Sequence, residues 1–426
     1  MIDYEPFVAR LRAATQPGRK SPAEDASLLD GAASAALKSM VTIQQRRRVG
    51  AFFTPSALAE KCLVSLKTMP TPVTDPACGA GDLLLAAARR MPIGKTASAT
   101  LRLWGASLHG LDIVPGFVSA TKLRLTLLAM SRTQDEIDYK LANRLLSNIR
   151  VGSAIHTLTP GSTLGLLLLN PPFGDTKKFR RDFHGRGRVA RASIFADRAI
   201  KALVPGAWIV AILPDVLRSG STYDRWRTMV GKQLKNVRIS VEGRFDPATD
   251  VDVFTLVGQR RASLRSAGRQ IDWYQLEKIS KPANTTVDEA FDLHVGQIVE
   301  YRDKGTGADR AFVKARDLTP GKTLTRLPGR WPAGPRAVRP PFVAICRTSS
   351  PDDTNRIVAS VISGKRSVAV ENHVITAKPR SNRLEDAVSL MEWLISPEVS
   401  EHLGQRIRCR HLTISSLGTL AWPPSD

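Results

Sequence analysis

The chain has 426 residues, of which 42% are hydrophobic, and a mean hydropathy of −0.14, ordinary values for a globular protein with two or three domains. Its 62 Lys and Arg residues outnumber its 39 Asp and Glu residues, giving a net charge of +23 and a pI near 10.4. Such an excess indicates a polyanionic partner, because each phosphate that a cation neutralises releases counterions. An anionic membrane surface could use the same charge, but no apolar stretch reaches the roughly 18–20 residues of a membrane span.

The N-terminus and the cysteines favour a cytoplasmic location. Residues 1–6 lack the basic head and apolar core of a signal peptide. The four cysteines are scattered without CxxC spacing, which indicates free thiols in a reducing compartment. No His pairs with a Cys or a carboxylate at ligand spacing, so no metal site is expected.

The predicted elements divide the chain into three parts. Residues 1–48 predict short helices at 6–14 and 23–45, ending in the basic cluster Arg46-Arg47-Arg48. From residue 49 to about 280, strand-like runs alternate with helical segments, a pattern typical of βαβ units around a parallel sheet. The predicted strands are 73–74, 108–113, 164–169, 208–213 and 253–257, and the predicted helices are 55–66, 82–90 and 193–203. Beyond a polar linker at 280–286, residues 281–426 are β-rich and close with a helical pair between 384 and 405.

The first motif with chemical content is a glycine loop. An apolar strand runs into Asp75, followed by a loop with Gly79 and Gly81 and by a helix that Asp82 is placed to cap. Glycines allow positive φ angles and let a ligand approach the backbone closely. Because structural turns use glycines as well, the loop by itself is weak evidence.

A second motif follows about thirty residues later. Strand 108–113 contains Asp112, placed like the acidic residue that holds ribose hydroxyls in nucleoside-binding α/β folds. Taken alone, an Asp at the end of a strand is more often a helix cap. The spacing G-x-G-x-x-G is absent, which disfavours a pyrophosphate ligand and favours a nucleoside without phosphates, such as S-adenosylmethionine.

The most informative motif is the tetrapeptide Asn170-Pro171-Pro172-Phe173. It follows an apolar run, residues 164–169, of the kind that forms a buried central strand. An amide oxygen, a main-chain carbonyl and an aromatic ring therefore come together at the carboxyl end of a sheet, where open α/β folds bind ligands. Two acceptors and a stacking face suit a planar group with an exocyclic NH2. A proline-rich turn is the alternative interpretation of the tetrapeptide alone.

Taken in order, these motifs resemble those of DNA N6-adenine methyltransferases of the gamma arrangement. The resemblance spans residues 50–257, where 50–55, 75–81 and 170–173 look like the family's upstream segment, cofactor loop and catalytic tetrapeptide. Residues 193–195, 206–214 and 251–256 fit as well. It implies a Rossmann-like class I methyltransferase domain at 49–280, with a mixed, mostly parallel sheet. An N-terminal helical segment, 1–48, precedes that domain.

The resemblance also implies residue roles. The catalytic set is Asn170, Pro171, Pro172 and Phe173, with Asn170 and Pro171 accepting hydrogen bonds from the amine of a flipped-out adenine and Phe173 stacking on it. S-adenosylmethionine is the implied cofactor, and its expected contacts are Thr54, Asp75, Pro76, Ala77, Cys78, Gly79, Gly81, Asp112, Ile113, Ser153 and Pro172. Within that set, Asp112 would hold the ribose. Ser153 is a departure, since the family usually has an acidic residue there for the adenine amine of the cofactor.

A basic segment beside the tetrapeptide is a candidate for nucleic-acid binding. A charge run is usually a solvated loop, but its position makes contact with DNA phosphates an equal alternative. The residues are Lys177, Lys178, Arg180, Arg181, Arg186, Arg188 and Arg191. The cluster at 46–48 is a weaker candidate of the same kind.

The last third, 281–426, is similar to the target-recognition domains of TaqI-like methyltransferases and of type I specificity subunits. The similar residues are 295–298, 343–347, 370–373 and 408–413. This implies a β-rich α+β recognition domain that reads double-stranded DNA. Arg347 and His373 are expected to be internal packing partners rather than base readers.

The implied function is site-specific DNA adenine-N6 methylation, in the role of the modification enzyme of a restriction–modification system. An enzyme in this role could have a cognate restriction endonuclease as its partner, and the two proteins need not form a stable complex. Two alternatives stay open: an RNA or protein-glutamine N-methyltransferase, which shares the tetrapeptide type, and a catalytically silent DNA-binding subunit. A type I modification subunit fits less well, because the N-terminal segment is short and a recognition domain is built in.

Overall fold

The chain forms two compact units, each with its own sheet. The computed structural model describes residues 2–16, 18, 27–153, 157–176, 189–246, 249–263, 271–274, 285–305, 307–332, 337–349, 353, 356–408 and 411–422. The first unit consists of Met1–Leu217 and Thr222–Ile271, and the second of Arg218–Ser221 and Asp272–Asp426.

The strands of the first unit form a seven-stranded sheet and a short ribbon. The sheet contains β1 (Val73–Asp75), β2 (Leu108–Asp112), β3 (Ile149–Val151), β4 (Leu166–Leu169), β7 (Trp208–Pro214), β8 (Leu234–Asp246) and β9 (Thr249–Arg260), and the ribbon contains β5 (Asp175–Thr176) and β6 (Val189–Ala190). The order in the sheet is β3-β2-β1-β4-β7-β9-β8. The first five strands in that order pair in parallel and β9 pairs antiparallel with both neighbours, so the predicted mixed, mostly parallel sheet is confirmed.

The helices of the first unit cover the sheet and connect its strands. They are α1 (Glu5–Ala14), α2 (Ala32–Met40), α3 (Ile43–Val49), α4 (Ser56–Leu63), α5 (Asp82–Arg89), α6 (Ala97–Ser107), α7 (Pro115–Thr133), α8 (Tyr139–Leu145), α9 (Arg191–Ala202) and α11 (Asp224–Gln233), with α10 (Val216–Ser219) extending into the second unit. The predicted continuous helix at 23–45 is wrong, because Thr42 starts a new helix, α3, through a capping box with Gln45.

The arrangement of the central strands brings the loops after β1, β2 and β4 together. All four leucines of β4 are buried, as expected for a parallel strand covered on both faces. Strands β2, β1 and β4 are adjacent and parallel, so their carboxyl ends lie side by side. The loops after these three strands carry the glycine loop, Asp112 and the tetrapeptide.

The N-terminal residues belong to the core of the first unit. Tyr4 is 1% exposed, and its hydroxyl donates a hydrogen bond of 2.7 Å to the Ala33 carbonyl. Its ring meets Phe117 of α7 edge-to-face, with ring centroids 5.0 Å apart. Helices α1 and α2 therefore pack on the same core as the sheet.

The second unit, in the part that the structure describes, is built from β-strands and four α-helices. Its strands are β10 (Thr285–Thr286), β11 (Phe291–Val295), β12 (Asp309–Val313), β13 (Thr323–Leu324), β14 (Gly329–Pro332), β15 (Phe342–Cys346), β16 (Ala359–Ile362), β17 (Val368–Val370), β18 (Val374–Pro379) and β19 (Ala421–Trp422). Its helices are α12 (Val287–Ala290), α13 (Leu384–Leu394), α14 (Pro397–Arg406) and α15 (Ile414–Gly418). A five-stranded sheet has the order β11-β18-β15-β16-β13, and a three-stranded sheet has the order β14-β12-β17. Helices α13 and α14 are the predicted pair.

Among the described residues, no helix has the length and apolar character that crossing a bilayer requires.

Candidate active site

A cavity of about 210 Å³ opens at the carboxyl ends of β1, β2 and β4 in the first unit. Loops from four strands and the segment before α4 line it. The lining residues are Ile2, Gly50, Ala51, Phe52, Phe53, Thr54, Asp75, Pro76, Ala77, Cys78, Gly79, Asp82, Leu83, Asp112, Ile113, Val114, Phe117, Gly152, Ser153, Asn170, Pro172 and Phe195. The sheet thus brings together most of the residues that the sequence predicts for cofactor binding, and two of the four predicted for catalysis.

The carboxamide of Asn170 is held in one orientation. Its Nδ2 donates hydrogen bonds to the Phe52 carbonyl, at 3.2 Å, and to Thr54 Oγ1, at 2.9 Å. Because a carbonyl can only accept a hydrogen bond, the group that faces Phe52 must be the NH2. The side-chain oxygen Oδ1 is therefore at the other end of the carboxamide, as an acceptor on a residue that lines the cavity.

Gly50 packs directly against the tetrapeptide. Its φ is +76°, and a Cβ at this position would lie 2.3 Å from Pro172 Cβ. No side chain fits in that space, and positive φ is strained for other residues. The segment from Gly50 to Thr54 therefore supports the tetrapeptide through backbone contact and through the two hydrogen bonds to Asn170.

Asp112 joins the loops after β1 and β2. Its Oδ2 accepts a hydrogen bond from Gly79 N at 3.0 Å, and its Oδ1 accepts one from Val114 N at 2.9 Å. Burial raises the pKa of Asp112, and these backbone hydrogen bonds oppose the rise. A carboxylate has about four lone-pair sites, so the two oxygens can still accept hydrogen bonds from a ligand.

Asp75 is a buried carboxyl group at the end of β1. It is 2% exposed, and its Oδ1 accepts a hydrogen bond from Ala77 N at 3.1 Å. Burial raises the pKa of Asp75 to about 7, and the charges of Asp112 and Asp82 add to the rise. A cationic ligand group at this end of the cavity would stabilise the ionised form.

Asp82 does not cap α5, which corrects the prediction. Gly81, with a φ of +89°, occupies the N-cap position, and Asp82 lies in the first helical turn. There it accepts a hydrogen bond of 2.9 Å from Arg124 Nη1, whose side chain is 1% exposed. Gly81 is not a lining residue, and a Cβ on it would lie 2.7 Å from Thr121 Cγ2, so its structural role is close packing on α7.

The aromatic residue of the tetrapeptide is covered. Phe173 is 4% exposed, and its ring is stacked on Phe52, with centroids 5.8 Å apart and an interplanar angle of 26°. Phe245 meets the same ring edge-to-face at 5.1 Å. The open stacking face expected from the sequence is therefore wrong for this conformation, because Phe52 lies on it. Pro171 is buried as well, and neither residue lines the cavity.

Three other predicted contact residues do line the cavity. Ile113 is 70% exposed, an unusual exposure for an isoleucine and one that suits a face covered by ligand. Ser153 is half-buried, and Cys78 is buried with a thiol pKa raised chiefly by burial. The Cys78 thiol therefore stays protonated and is not a nucleophile.

The predicted nucleic-acid-binding residues are mostly outside the described residues. This applies to Lys177, Lys178, Arg180, Arg181, Arg186 and Arg188. Arg191 is the first residue of α9, and its main-chain N donates a hydrogen bond of 2.9 Å to the Gly174 carbonyl. Arg46 is 6% exposed and lies over the Phe52 ring, so phosphate contact is the wrong interpretation for that residue.

Several lining residues were not predicted from the sequence. Ile2 and Phe117 come from the N-terminal segment and from α7, and Phe195 comes from α9. Phe195 lies in a motif that the sequence indicates, so its position could have suggested it. Ile2 carries no such signal, because its place depends on how α1 packs on α7.

A protein-family model matches part of the chain. Residues 35–212 match the family model described as N-6 DNA Methylase, a span shorter than half of the chain. This match supports a DNA methyltransferase over the part of the chain that contains the cavity. No curated protein matches the chain at a significant level.

Solved structures share parts of the fold. One, described as a modification subunit of a type I restriction enzyme from Vibrio vulnificus YJ016, is 19% identical over 57% of this chain and 50% of its own, with a TM-score of 0.39. Another, described as a class I S-adenosylmethionine-dependent methyltransferase from Listeria monocytogenes, is 14% identical over 62% of this chain and 77% of its own, with a TM-score of 0.36. The type IIG restriction endonuclease BpuSI is 12% identical over 98% of this chain and 69% of its own, with a TM-score of 0.43.

The chain thus spans about half the length of the Vibrio subunit. Since these TM-scores are below 0.5, the likenesses add no argument about activity. The strand order and the mixed, mostly parallel sheet are those of the class I S-adenosylmethionine-dependent methyltransferase fold.

Proposed function

We propose that the chain is a site-specific DNA adenine-N6 methyltransferase. It transfers a methyl group from S-adenosylmethionine to a flipped-out adenine in double-stranded DNA, as the modification enzyme of a restriction–modification system. The gamma order of the motifs, a TaqI-like recognition role for residues 281–426 and the catalytic domain at 49–280 belong to this proposal. The net charge of +23 supports a polyanionic substrate.

The observation that carries the proposal is the orientation of Asn170. Both hydrogen bonds made by its NH2 are internal, to Phe52 and Thr54, so its oxygen is left as an acceptor for an amine. The same residue lines the cavity with the glycine loop and Asp112. A proline-rich turn would need neither the fixed carboxamide nor the shared cavity.

The cavity suits S-adenosylmethionine in its charge and in its combination of polar and apolar groups. The buried Asp75 would favour its cationic methionine end, and Asp112 keeps acceptor capacity for ribose hydroxyls. Ile113 and Pro172 offer apolar surface for the adenine, and the Ser153 hydroxyl can accept from its amine. When bound, the cofactor supplies an electrophilic methyl group on a sulfonium.

The residues of the tetrapeptide would act on the adenine amine. That amine is a poor nucleophile, because its lone pair is delocalised into the ring. A hydrogen bond from the NH2 to Asn170 Oδ1, and one to the Pro171 carbonyl once the rearrangement at Phe173 exposes it, favour a tetrahedral nitrogen and free the lone pair. Positioning and fixed dipoles thus supply most of the catalysis, without a covalent nucleophile.

Flipping of the target base requires a change at Phe173. Extrusion costs a few kcal/mol, and stacking on an aromatic ring returns roughly 1–3 kcal/mol. Because Phe52 covers the Phe173 ring, it must move aside before an adenine can stack there. The entering base would replace one ring contact with another.

The proposal is tested by methyl transfer from tritiated S-adenosylmethionine. We expect label in duplex DNA and N6-methyladenine after digestion to nucleosides. Label in tRNA, rRNA or a release factor in place of DNA would favour an RNA or protein-glutamine methyltransferase. Calorimetry decides the remaining alternative, since a chain that binds DNA without binding S-adenosylmethionine would be a silent subunit.

A further inference from the structure

Three segments of the second unit that carry Arg or His meet beside the end of β15. One follows β15 and contains Arg347, another is the turn between β17 and β18 with His373, and the third precedes α15 and contains His411. Arg347 N donates a hydrogen bond to the His373 carbonyl, and Leu412 N donates one to the Arg347 carbonyl, both 2.8 Å long. These main-chain bonds hold the segments together independently of the cationic side chains.

Arg347 is half-buried, and its guanidinium makes no ion pair with the other described residues. Its Nη1 lies 3.5 Å from the Asn372 carbonyl, a long hydrogen bond, and its Nε is buried without a partner in the described part of the chain. Within the described residues, the guanidinium thus makes one long hydrogen bond and no other. Burying a charge without a carboxylate is unfavourable, so the arrangement calls for an anion from outside.

The two histidines are further hydrogen-bonding groups beside Arg347. His373 is exposed, which contradicts its expected role as an internal packing partner. His411 lies within 3.2 Å of Thr348 Oγ1 through Nδ1. Burial lowers the pKa of His411, and the charges of Arg347 and His373 lower it further. The nearby Glu371 carboxylate accepts a hydrogen bond of 2.8 Å from Ala315 N, just after β12.

We propose that Arg347, His373 and His411 form a site for a phosphate group of the DNA backbone, which we name the cationic cluster. A phosphate oxygen accepts charge-assisted hydrogen bonds from the Arg347 guanidinium and ordinary hydrogen bonds from imidazole N–H groups, and its negative charge would offset the effect of Arg347 on His411. The choice of DNA as the source of the phosphate rests on the proposed function. The cluster then positions the duplex on the second unit and reads no base.

The test measures binding of a labelled DNA duplex by the full chain. Fluorescence anisotropy gives the affinity over a range of NaCl concentrations. The variants are Arg347→Gln, which removes the charge, and Arg347→Lys, which keeps it. His373→Gln changes an exposed side chain, so it tests the same cluster even if Arg347→Gln fails to fold. Arg383→Gln is the matched control, because Arg383 is 67% exposed and pairs with Glu385 outside the three segments.

We expect Arg347→Gln to weaken binding roughly three- to tenfold and to lower the slope of log K against log salt by about 1, the value for one lost phosphate contact. His373→Gln should shift both quantities in the same direction, while Arg347→Lys and Arg383→Gln keep the slope of the natural chain. Unchanged affinity and slope in Arg347→Gln and His373→Gln would overturn the proposal. So would weaker binding with an unchanged slope, which indicates a structural role or base readout.

Two further arms separate this inference from the proposed function. A duplex RNA of equal length is the competitor, and a preference of the natural chain for RNA would overturn the assignment to DNA. Methyl transfer is measured on the same preparations. A chain that binds DNA through the cluster but transfers no methyl group contradicts the proposed activity alone, and one that methylates DNA with an inert cluster contradicts this inference alone.

Discussion

The loops after β1 and β2 differ from the tetrapeptide after β4, although they border the same cavity. The first two are tied together by Asp112 and open onto the cavity through Asp75 and the exposed Ile113. The tetrapeptide presents the Asn170 carboxamide but keeps the Phe173 ring under Phe52. The loops after β1 and β2, which we call the ready side, are accessible to a ligand. On the side of the tetrapeptide, which we call the closed side, Phe52 would have to move before a base could stack on Phe173 as proposed.

The two sides contribute differently to the free energy of the ligand-free conformation. On the ready side, burial disfavours the ionised forms of Asp75 and Asp112 as long as no cationic ligand is bound. On the closed side, ring stacking stabilises the empty conformation, and the oriented carboxamide depends on the segment Gly50–Thr54. Changes on the two sides should therefore separate cofactor binding and stability from turnover.

The largest effect is expected for Asn170→Ala. It removes the acceptor that we propose for the adenine amine, so methyl transfer should fall by at least about a hundredfold, as for other fixed catalytic dipoles. Duplex affinity should stay close to that of the natural chain. Single-turnover methylation and anisotropy measure the two quantities, and retained activity would contradict the role of Asn170.

The next effect is a pH dependence of stability from Asp75. Its pKa is raised to about 7 in the folded chain by burial, so folding favours the protonated form. This contribution to the free energy of unfolding is present in full below the ordinary pKa of Asp and is lost as the pH rises through about 7. Its upper bound is about 4 kcal/mol.

Urea unfolding at pH 5 and at pH 8 measures this loss. For the natural chain, the free energy of unfolding should be lower at pH 8 by ~2 kcal/mol or more. Asp75→Asn cannot ionise, and its dependence on pH should be flatter by that amount. S-adenosylmethionine should restore stability at pH 8 to the natural chain more than to the variant. Equal pH dependence of the two chains would show that Asp75 is already ionised at pH 5.

Gly50→Ala tests the support under the tetrapeptide. Its Cβ would lie 2.3 Å from Pro172 Cβ, and a positive φ adds strain, so a loss of roughly 2 kcal/mol is expected with slower methyl transfer. Gly161→Ala is the control, because its φ is +70° and a Cβ there meets nothing within 4 Å. Thermal unfolding of both variants should show the larger loss at Gly50, and equal losses would mean that the contact yields easily.

Thr54→Val should give the smallest effect. It removes the acceptor at 2.9 Å from Asn170 Nδ2 while keeping the shape of the side chain. We expect a roughly tenfold lower kcat, as for one lost hydrogen bond near 1.4 kcal/mol, and rescue by Thr54→Ser. Cofactor affinity is measured separately, and a change confined to it would show that Thr54 acts on the cofactor rather than on Asn170.

The central strands of the sheet and the loops on the ready side could be predicted from the sequence, because short stretches of consecutive residues determine them. Four consecutive leucines identify β4 as a central strand, and a glycine loop followed by Asp112 at the next strand end indicates a nucleoside site. Strands β3 and β8 were missed. Strand β8 alternates irregularly in burial and has register shifts in its pairing with β9, so its period is weak.

The closed side depends on contacts between distant residues, which one sequence does not reveal. Phe52 and Phe173 are far apart in the chain, and the burial of Arg46 follows from its place over Phe52. The same holds for Ile2, which reaches the cavity because α1 packs on α7. Residue types suggested the chemistry in these cases, and tertiary packing decided which surfaces are accessible.

The most direct measurement is a crystal structure with sinefungin and a duplex that contains the target adenine. The account predicts an everted adenine whose amine donates to Asn170 Oδ1 and whose ring has replaced Phe52 on Phe173. Sinefungin should lie between Asp75 and Asp112. A complex in which Phe52 still covers Phe173 and the carboxamide faces away from the nucleic acid would contradict it.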